Sequence, residues 1–495
     1  MALKFSFKKI KKTLFNSPYS YWFLPIFIGL YPFLFYYSNN FASINSLSHL
    51  GFFLVYFFGI PLLVFTVLYL GFKFNNKLRT YKSQILFVTI IMLVCTLMSY
   101  ASYLTYKKKA LVVILIVSVL LALKLHKNYK KLVVIVLLMT VLPTLKNIVH
   151  IYDHCRNSSW LQPPSDITDI KFVKTPNVYM IQPDGYVNEQ MMESELYNHK
   201  TDLFDWLRKN EFKMYDNFRS NYLASLSSNS SMFSMKHHYY GGSLINSIET
   251  PRAREAIVGE SAALKAFKDN GYKTFFVVQD EYFQQNKGPE GFDYYNIDLE
   301  EIPSFCNGNM VKKVVFEDLK VAMKSDQSEQ PKFFFVEKLL PHHVHFYAPG
   351  DRVEAERKEY LEKIDEVTIW LKTTIDYIEQ QDPNAIVIVL ADHGGWVGMV
   401  NYEDMFTTKA EDKIFSTFSA IASIKWNGLL KEGYDSGLKS NVNVFRVLFS
   451  VLSENKKYLE NLEDDSSYNL HIGNSFYKEV YQVIDDDGKL VYNKY

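Results

Sequence analysis

Residues 385–395 read AIVIVLADHGG: seven residues with no charged side chain, then two ionisable groups and two glycines. A run of β-branched and apolar residues this short and this continuous reads as a strand buried on both faces. Four more stretches have the same character: 177–183 (NVYMIQP), 272–279 (YKTFFVVQ), 332–340 (KFFFVEKLL) and 414–424. Helix-like stretches at 199–210, 257–270, 309–325 and 352–381 alternate with them. That alternation predicts an α/β domain with a central, mostly parallel sheet covered on both faces. Such sheets bind ligands beyond the carboxyl ends of their strands.

The polar residues at those ends are therefore the candidates. The strand at 177–183 runs into Asp184-Gly185, that at 332–340 into Pro341-His342-His343, and that at 385–391 into Asp392-His393-Gly394-Gly395. Asp-Gly after a strand is by itself an ordinary turn, and His342 shares its loop with His343 and His345. Three strand ends that all deliver carboxylates or imidazoles are a stronger signal. Carboxylate oxygen with imidazole nitrogen suits Mn, Zn or Mg, and Gly394 and Gly395 are expected to let the backbone turn so that the two side chains converge. A serine-rich stretch, SNYLASLSSNSSMFSMK (220–236), offers hydroxyl nucleophiles. Its composition does not single out one serine. A serine at a helix start would face a transferred anion with free backbone N–H groups.

The amino-terminal third belongs to a different solvent. Residues 1–152 carry 17 of the 54 Lys and Arg and no Asp or Glu, leaving 37 basic and all 53 acidic residues to 153–495. Nearly pure apolar runs at 20–37, 50–72, 85–105, 110–125 and 132–148 predict five membrane-spanning helices within residues 1–150. The basic excess is interleaved with those runs, so nucleic acid is not an expected partner. Lysines at positions 4, 8, 9, 11 and 12, then Lys73, Lys77, Arg79 and Lys82, then Lys127, Lys130 and Lys131 fall on one side of a five-span chain, which the positive-inside rule makes cytoplasmic. An odd number of spans puts the rest of the chain outside. Lys107, Lys108 and Lys109 oppose this assignment, and a four-span reading would reverse the compartment. Residues 151–176 read as a linker and 177–495 as the catalytic domain. Three cysteines form no CxxC, and Cys155 and Cys306 pair only if the fold brings them together.

The order PNVYMIQPDGY (176–186), SNYLASLSS (220–228), FFFVEKLLPHHVHF (333–346) and IVIVLADHGG (386–395), with NVNVFR (441–446) near the end, resembles the membrane-bound branch of the alkaline phosphatase and sulfatase superfamily. That branch includes lipoteichoic-acid synthases and phosphoethanolamine transferases. The resemblance spans roughly 176–469. It implies that Asp184, Asp392 and His393 are metal ligands, with Ser225 as both nucleophile and ligand and His342 as a contact to the transferred group. Ser225 takes the place of the family's usual Thr, and Leu223 that of a Pro, so Ser227 and Ser228 remain competitors. Glu337 stands where the family often has a histidine, which speaks against a fully occupied second metal. Formylglycine sulfatases carry a C/S-x-P-x-R motif, whereas Ser225 is followed by Leu226, Ser227, Ser228 and Asn229, without the Pro or the Arg.

The resemblance thus implies a divalent-metal enzyme in the cytoplasmic membrane of a bacterium, with its catalytic domain outside. It would move phosphoglycerol or phosphoethanolamine from a phospholipid donor to a surface glycan acceptor through a covalent seryl intermediate. Two other readings are a membrane-anchored phosphodiesterase or phosphatase using water, and an inactive glycan-binding scaffold.

Overall fold

The computed structural model describes residues 20–156, 159–242, 249–305, 308–346, 352–471 and 479–495. The lysines at 4, 8, 9, 11 and 12, the linker residues Asn157 and Ser158, and Cys306 lie outside the described residues. The chain divides into two units: one holds the described residues of Met1–Tyr152 and Pro303–Asn307, the other those of Asp153–Ile302 and Gly308–Tyr495.

The first unit is helical. Its apolar stretches form helices over Ser20–Ile44, Leu47–Phe74, Lys82–Tyr103 and Lys108–Arg156, the last containing a 3-10 turn at His126–Asn128. Three of these, Leu47–Phe74, Lys82–Tyr103 and Lys108–Arg156, are long and apolar enough to cross a membrane. The 49 residues of Lys108–Arg156 would extend about 74 Å if straight. They instead double back at the turn, because Lys82–Tyr103 packs against both halves. Two core layers give the chain direction. Leu24, Phe72, Leu86, Ile90 and Val133 share one, and Tyr36, Ile44, Phe53, Leu97, Ala101 and Phe305 share the other. Asn147 donates to Leu34 O at 3.0 Å, so the chain after residue 129 runs alongside the first helix in the same direction. The turns near residues 45 and 105 therefore lie at the same end of this unit as residue 150.

The second unit is built on a seven-stranded sheet. Its strands are β1 (Val178–Pro183), β2 (Lys213–Met214), β3 (Lys273–Val278), β4 (Tyr294–Tyr295), β5 (Lys332–Lys338), β6 (Ile386–Leu390) and β7 (Ala422–Lys425), in the order β2-β7-β6-β1-β5-β3-β4. β6, β1, β5, β3 and β4 are parallel, whereas β7 pairs antiparallel with both β6 and the short edge strand β2. The expected strand at 414–424 is mostly something else. Glu411–Phe418 is a helix whose buried Ile414 and Phe418 recur at helical spacing, and only Ala422–Lys425 joins the sheet. A further antiparallel sheet, β8 (Ser467–His471), β9 (Glu479–Ile484) and β10 (Leu490–Lys494), closes the carboxyl-terminal part.

Phenylalanines fill the core. Phe333 and Phe335 of β5 pack on one face against Phe267, Phe233 and Phe445. Phe334 stacks between Tyr179 at 4.6 Å and Phe275 at 4.4 Å on the other. Phe233 comes from helix α1 (Ser225–Ser234) and Phe445 from a helix over Val444–Leu452. The long helix α2 (Arg352–Gln381) buries Tyr360, Ile364, Val367, Leu371, Ile375 and Ile378 at three- and four-residue spacing, a single apolar stripe.

Candidate active site

β1 and β6 are adjacent parallel strands, so their carboxyl ends bring Asp184 and Asp392-His393 together. Oxygens of Asp184 and Asp392 and a ring nitrogen of His393 all lie within 4.8 Å of one another, and all three residues are buried. His393 Nε2 is 3.3 Å from Asp184 Oδ1 and 3.6 Å from Asp392 Oδ2. Ser225, the first residue of α1, places Oγ 3.4 Å from Asp184 Oδ1 and 3.2 Å from His393 Nε2. These four residues meet from three chain segments. His342 stands beside them: its backbone N–H donates to Asp184 O at 2.9 Å, and its half-buried ring has Nε2 3.9 Å from Asp184 Oδ2.

The donor set fits a divalent cation. His393 Nδ1 lies 2.8 Å from Gly394 O, and a carbonyl only accepts, so Nδ1 donates there and Nε2 is the ring nitrogen turned toward the two carboxylates. Asp392 Oδ1 accepts from Gly185 N at 3.2 Å, but the buried Oδ2 has no hydrogen-bond partner. Burial above all, and then the charge of Asp184, push the Asp392 carboxyl above its usual range, against the opposing pull of His393. Two carboxylates, a ring nitrogen and a hydroxyl converging on one point, with one buried carboxylate oxygen left unsatisfied, are a donor set that a bound cation compensates.

The serines separate by direction. Ser227 Oγ donates to Ala224 O at 2.9 Å and Ser228 Oγ to Tyr222 O at 2.8 Å, so both are buried and tied to backbone. Ser225 is half-buried, and its hydroxyl faces the carboxylates. Ala224 caps α1 without a side-chain hydrogen bond, and the first-turn N–H groups of an α-helix have no intrahelical acceptor.

A protein-family model described as Sulfatase matches residues 183–443, just over half of the chain and a span that contains every residue of this cluster. The chain belongs to the sulfatase family. The chain is similar in fold to the C-terminal periplasmic domain of EptC from Escherichia coli, at 12% identity, covering 59% of this chain and 86% of that one, with a TM-score of 0.42. It is also similar to the corresponding domain of the phosphoethanolamine transferase EptC from Campylobacter jejuni (15% identity, 56% and 89% covered, TM-score 0.37). A third similar structure is the sulfatase yidJ from Bacteroides fragilis, described there as putative (15% identity, 64% and 88% covered, TM-score 0.42). No curated protein sequence matches.

Around this sulfatase-family cluster the sequence expectations need two corrections. Gly394 and Gly395 do not adopt positive φ; they are needed for close approach. A Cβ at 394 would sit 2.1 Å from Ser416 O and one at 395 would sit 2.3 Å from the Tyr360 ring. Asp280 and Glu281 follow the stretch 272–279, where the sequence alone gives an exposed acidic turn as the ordinary expectation; they are instead buried. Glu281 accepts from the N–H groups of Met310 and Val311 at 2.9 and 2.8 Å. Asp280 accepts from Tyr282 N at 2.9 Å, yet burial, with Glu281 and Asp184 adding to it, pushes its carboxyl up to about 6. Glu337, paired in register with Gln182 across β5 and β1, is raised well above the usual range by burial and by Asp184, Asp280 and Asp392.

Three supporting residues carried no sequence argument. Trp396 Nε1 donates to Leu223 O at 3.1 Å, joining the loop after β6 to the chain just before Ser225, and its ring stacks on His343 at 3.7 Å. Tyr360 Oη donates to Gly185 O at 2.8 Å, and Asn441 Nδ2 donates to Asp392 O at 3.1 Å. The only signal for Asn441 was its place in NVNVFR. Arg446 of the same motif pairs with Asp166 at 2.8 Å, a structural ion pair.

Proposed function

We propose that this sulfatase-family chain is a metal-dependent phosphoryl-alcohol transferase, moving phosphoglycerol or phosphoethanolamine from a phospholipid to a cell-envelope glycan. The observation that carries the reading is the Ser225 hydroxyl at the start of α1, 3.4 Å from Asp184 and 3.2 Å from His393, in a stretch without the Pro and Arg of a formylglycine motif. A side-chain hydroxyl retained as such attacks phosphorus, whereas formylglycine chemistry needs an aldehyde hydrate.

Asp184, Asp392, His393 and Ser225 would hold the cation, Mn, Zn or Mg, which supplies Lewis-acid charge and lowers the hydroxyl pKa. Ser225 Oγ attacks the phosphodiester phosphorus, the bond to the diacylglycerol oxygen breaks, and that oxygen leaves with a proton as diacylglycerol. The α1 N–H groups orient the phosphoryl oxygens. His342, half-buried on the open side of Asp184, donates a hydrogen bond to the same group. A glycan hydroxyl then attacks in line, its proton returns to Ser225 Oγ, and the seryl–phosphorus bond breaks.

The five helical segments, with lysines concentrated at one end, support placing the second unit outside the cytoplasmic membrane of a bacterium, where both substrates lie. The test uses phospholipid labelled in its head group, in membranes holding the full chain or Ser225→Ala. The expected result is label in the polysaccharide fraction with the parent chain alone. Label released only as a water-soluble phosphoryl alcohol makes the protein a hydrolase, and no metal-dependent label movement defeats the proposal.

A further inference from the structure

Lys107, Lys108 and Lys109 have no role in the chemistry above, and in the topology just proposed they stand on the side where lysine is disfavoured. They close the turn between Lys82–Tyr103 and Lys108–Leu125, at the same end of the first unit as residues 45 and 150. Their chain path is tied down. Lys107 N donates to Ser99 Oγ at 3.0 Å, Lys108 N to Tyr106 O at 2.8 Å, and Lys107 Nζ stands 4.6 Å from the Tyr103 ring centroid. No carboxylate side chain of this unit can answer the three charges, because neither residues 1–152 nor residues 303–307 contain Asp or Glu.

These lysines border a cavity of about 860 Å³ between the two helices. Cys95, Met98, Leu111 and Ile114 supply its apolar wall, and Ser102 and Tyr106 its polar patches. A volume of that size is in the range of small-ligand sites, and because the space is open to the surface it can take one acyl chain while the rest of a lipid stays outside. An apolar slot inside a membrane with three ammonium groups at one mouth, none paired with a carboxylate of its own unit, matches a molecule with an acyl chain at one end and a negative phosphate at the other. We propose that this cavity binds one anionic phospholipid of the outer leaflet, its acyl chain between the helices and its phosphate at Lys107–Lys109. The lysines are then retained outside because the ligand neutralises them. The inference rests on the proposed function only for the side of the membrane; the lipid need not be the one that is consumed.

The experiment uses the full chain carrying Ser225→Ala, so that no lipid is turned over, in nanodiscs of phosphatidylcholine with a minor share of phosphatidylglycerol. Lipid retained per protein after mild delipidation is read by native mass spectrometry. Phosphatidylglycerol should be retained over phosphatidylcholine by about a hundredfold, from a contribution of roughly fivefold per lysine. Lys107→Ala/Lys108→Ala/Lys109→Ala should abolish that preference, whereas Lys124→Ala/Lys127→Ala/Lys131→Ala, with the same charge change at the other end, should keep it. Ile114→Trp, which leaves every lysine in place and fills the cavity, should lose the lipid too. Inorganic phosphate should not compete. Equal retention of the two lipids, equal loss in both lysine variants, retention in Ile114→Trp, or displacement by phosphate would each overturn the site. A chain found to be a hydrolase or inactive leaves these ratios unchanged, so the two failures are distinguishable.

Discussion

Asp280→Asn should make the metal-free protein more stable at neutral pH and leave it unchanged in acid. Asp280 follows β3, is 2% exposed, and its carboxyl is pushed up to about 6 from an ordinary value of 3.8, by burial first and by Glu281 and Asp184 after it. The folded state therefore binds the proton more tightly than the unfolded state. Below about pH 4 both states are protonated and the carboxyl costs nothing; as pH rises towards 6 the unfolded state ionises first and stability falls; above 6 the whole penalty is present. Two units correspond to about 3 kcal/mol. Asparagine keeps an oxygen to accept from Tyr282 N–H, now 2.9 Å away, and removes the charge. For a domain of this size the gain is worth about 4 °C in Tm. Thermal melts of chelated parent and variant, at pH 4 and pH 7 in matched detergent, measure it. A cation held by Asp184 and its neighbours offsets the same repulsion, so the gain should shrink when metal is restored. A variant no more stable at pH 7, or a gain that persists at pH 4, refutes the claim that buried, mutually repelling carboxylates surround this site.

Ser225→Ala should abolish turnover while leaving the melting temperature within a degree or two, since the hydroxyl is half-buried and its loss opens no core cavity; Ser227→Ala and Ser228→Ala should stay active, and loss confined to either moves the nucleophile. Asp392→Asn should cost more than the 10–100-fold in metal affinity typical of an outer-shell partner, read by elemental analysis after dialysis, whereas His342→Ala should keep the metal and lose rate. Metal lost from His342→Ala would add that residue to the ligand set, and a metal-free yet active parent would end the metal reading. A reporter active only in the cytoplasm, fused after Tyr495, should be silent; signal from it would reverse the proposed compartment.

What could be read from the sequence was whatever left a trace in one dimension. β1 and β6 announce themselves because strands buried on both faces are unbroken apolar runs, and Asp184, Asp392 and His393 because ionisable groups interrupt those runs at their ends. The antiparallel strands leave a weaker trace. β7 is four residues long and follows a helix whose Ile414, Phe415 and Phe418 are as apolar as a strand, so the two merged into one stretch. β9 and β10 alternate across Asp485–Gly488, a hairpin pattern with a glycine at φ 83°, but are half-exposed and lack an unbroken apolar run. Direction is the other loss. Ser225, Ser227 and Ser228 lie within one helical turn, and successive residues rotate by about 100°, so composition cannot say which hydroxyl faces the sheet edge.

The acidic turn shows why burial, too, escaped the sequence. Asp280-Glu281 looks like a solvated loop because buried carboxylates without partners are rare. Here five carboxyl groups, Asp184, Asp280, Glu281, Glu337 and Asp392, are all at most 2% exposed. Backbone N–H groups satisfy Glu281 and part of Asp280, while buried oxygens of Glu337 and Asp392 have none. A fold that tolerates this crowding is destabilised by it unless positive charge arrives from outside the chain. The same excess of negative charge that costs stability therefore gives the site its affinity for a cation, and Glu337, whose carboxyl burial and its neighbours push well above the usual range, adds less to that excess than an ordinary carboxylate would.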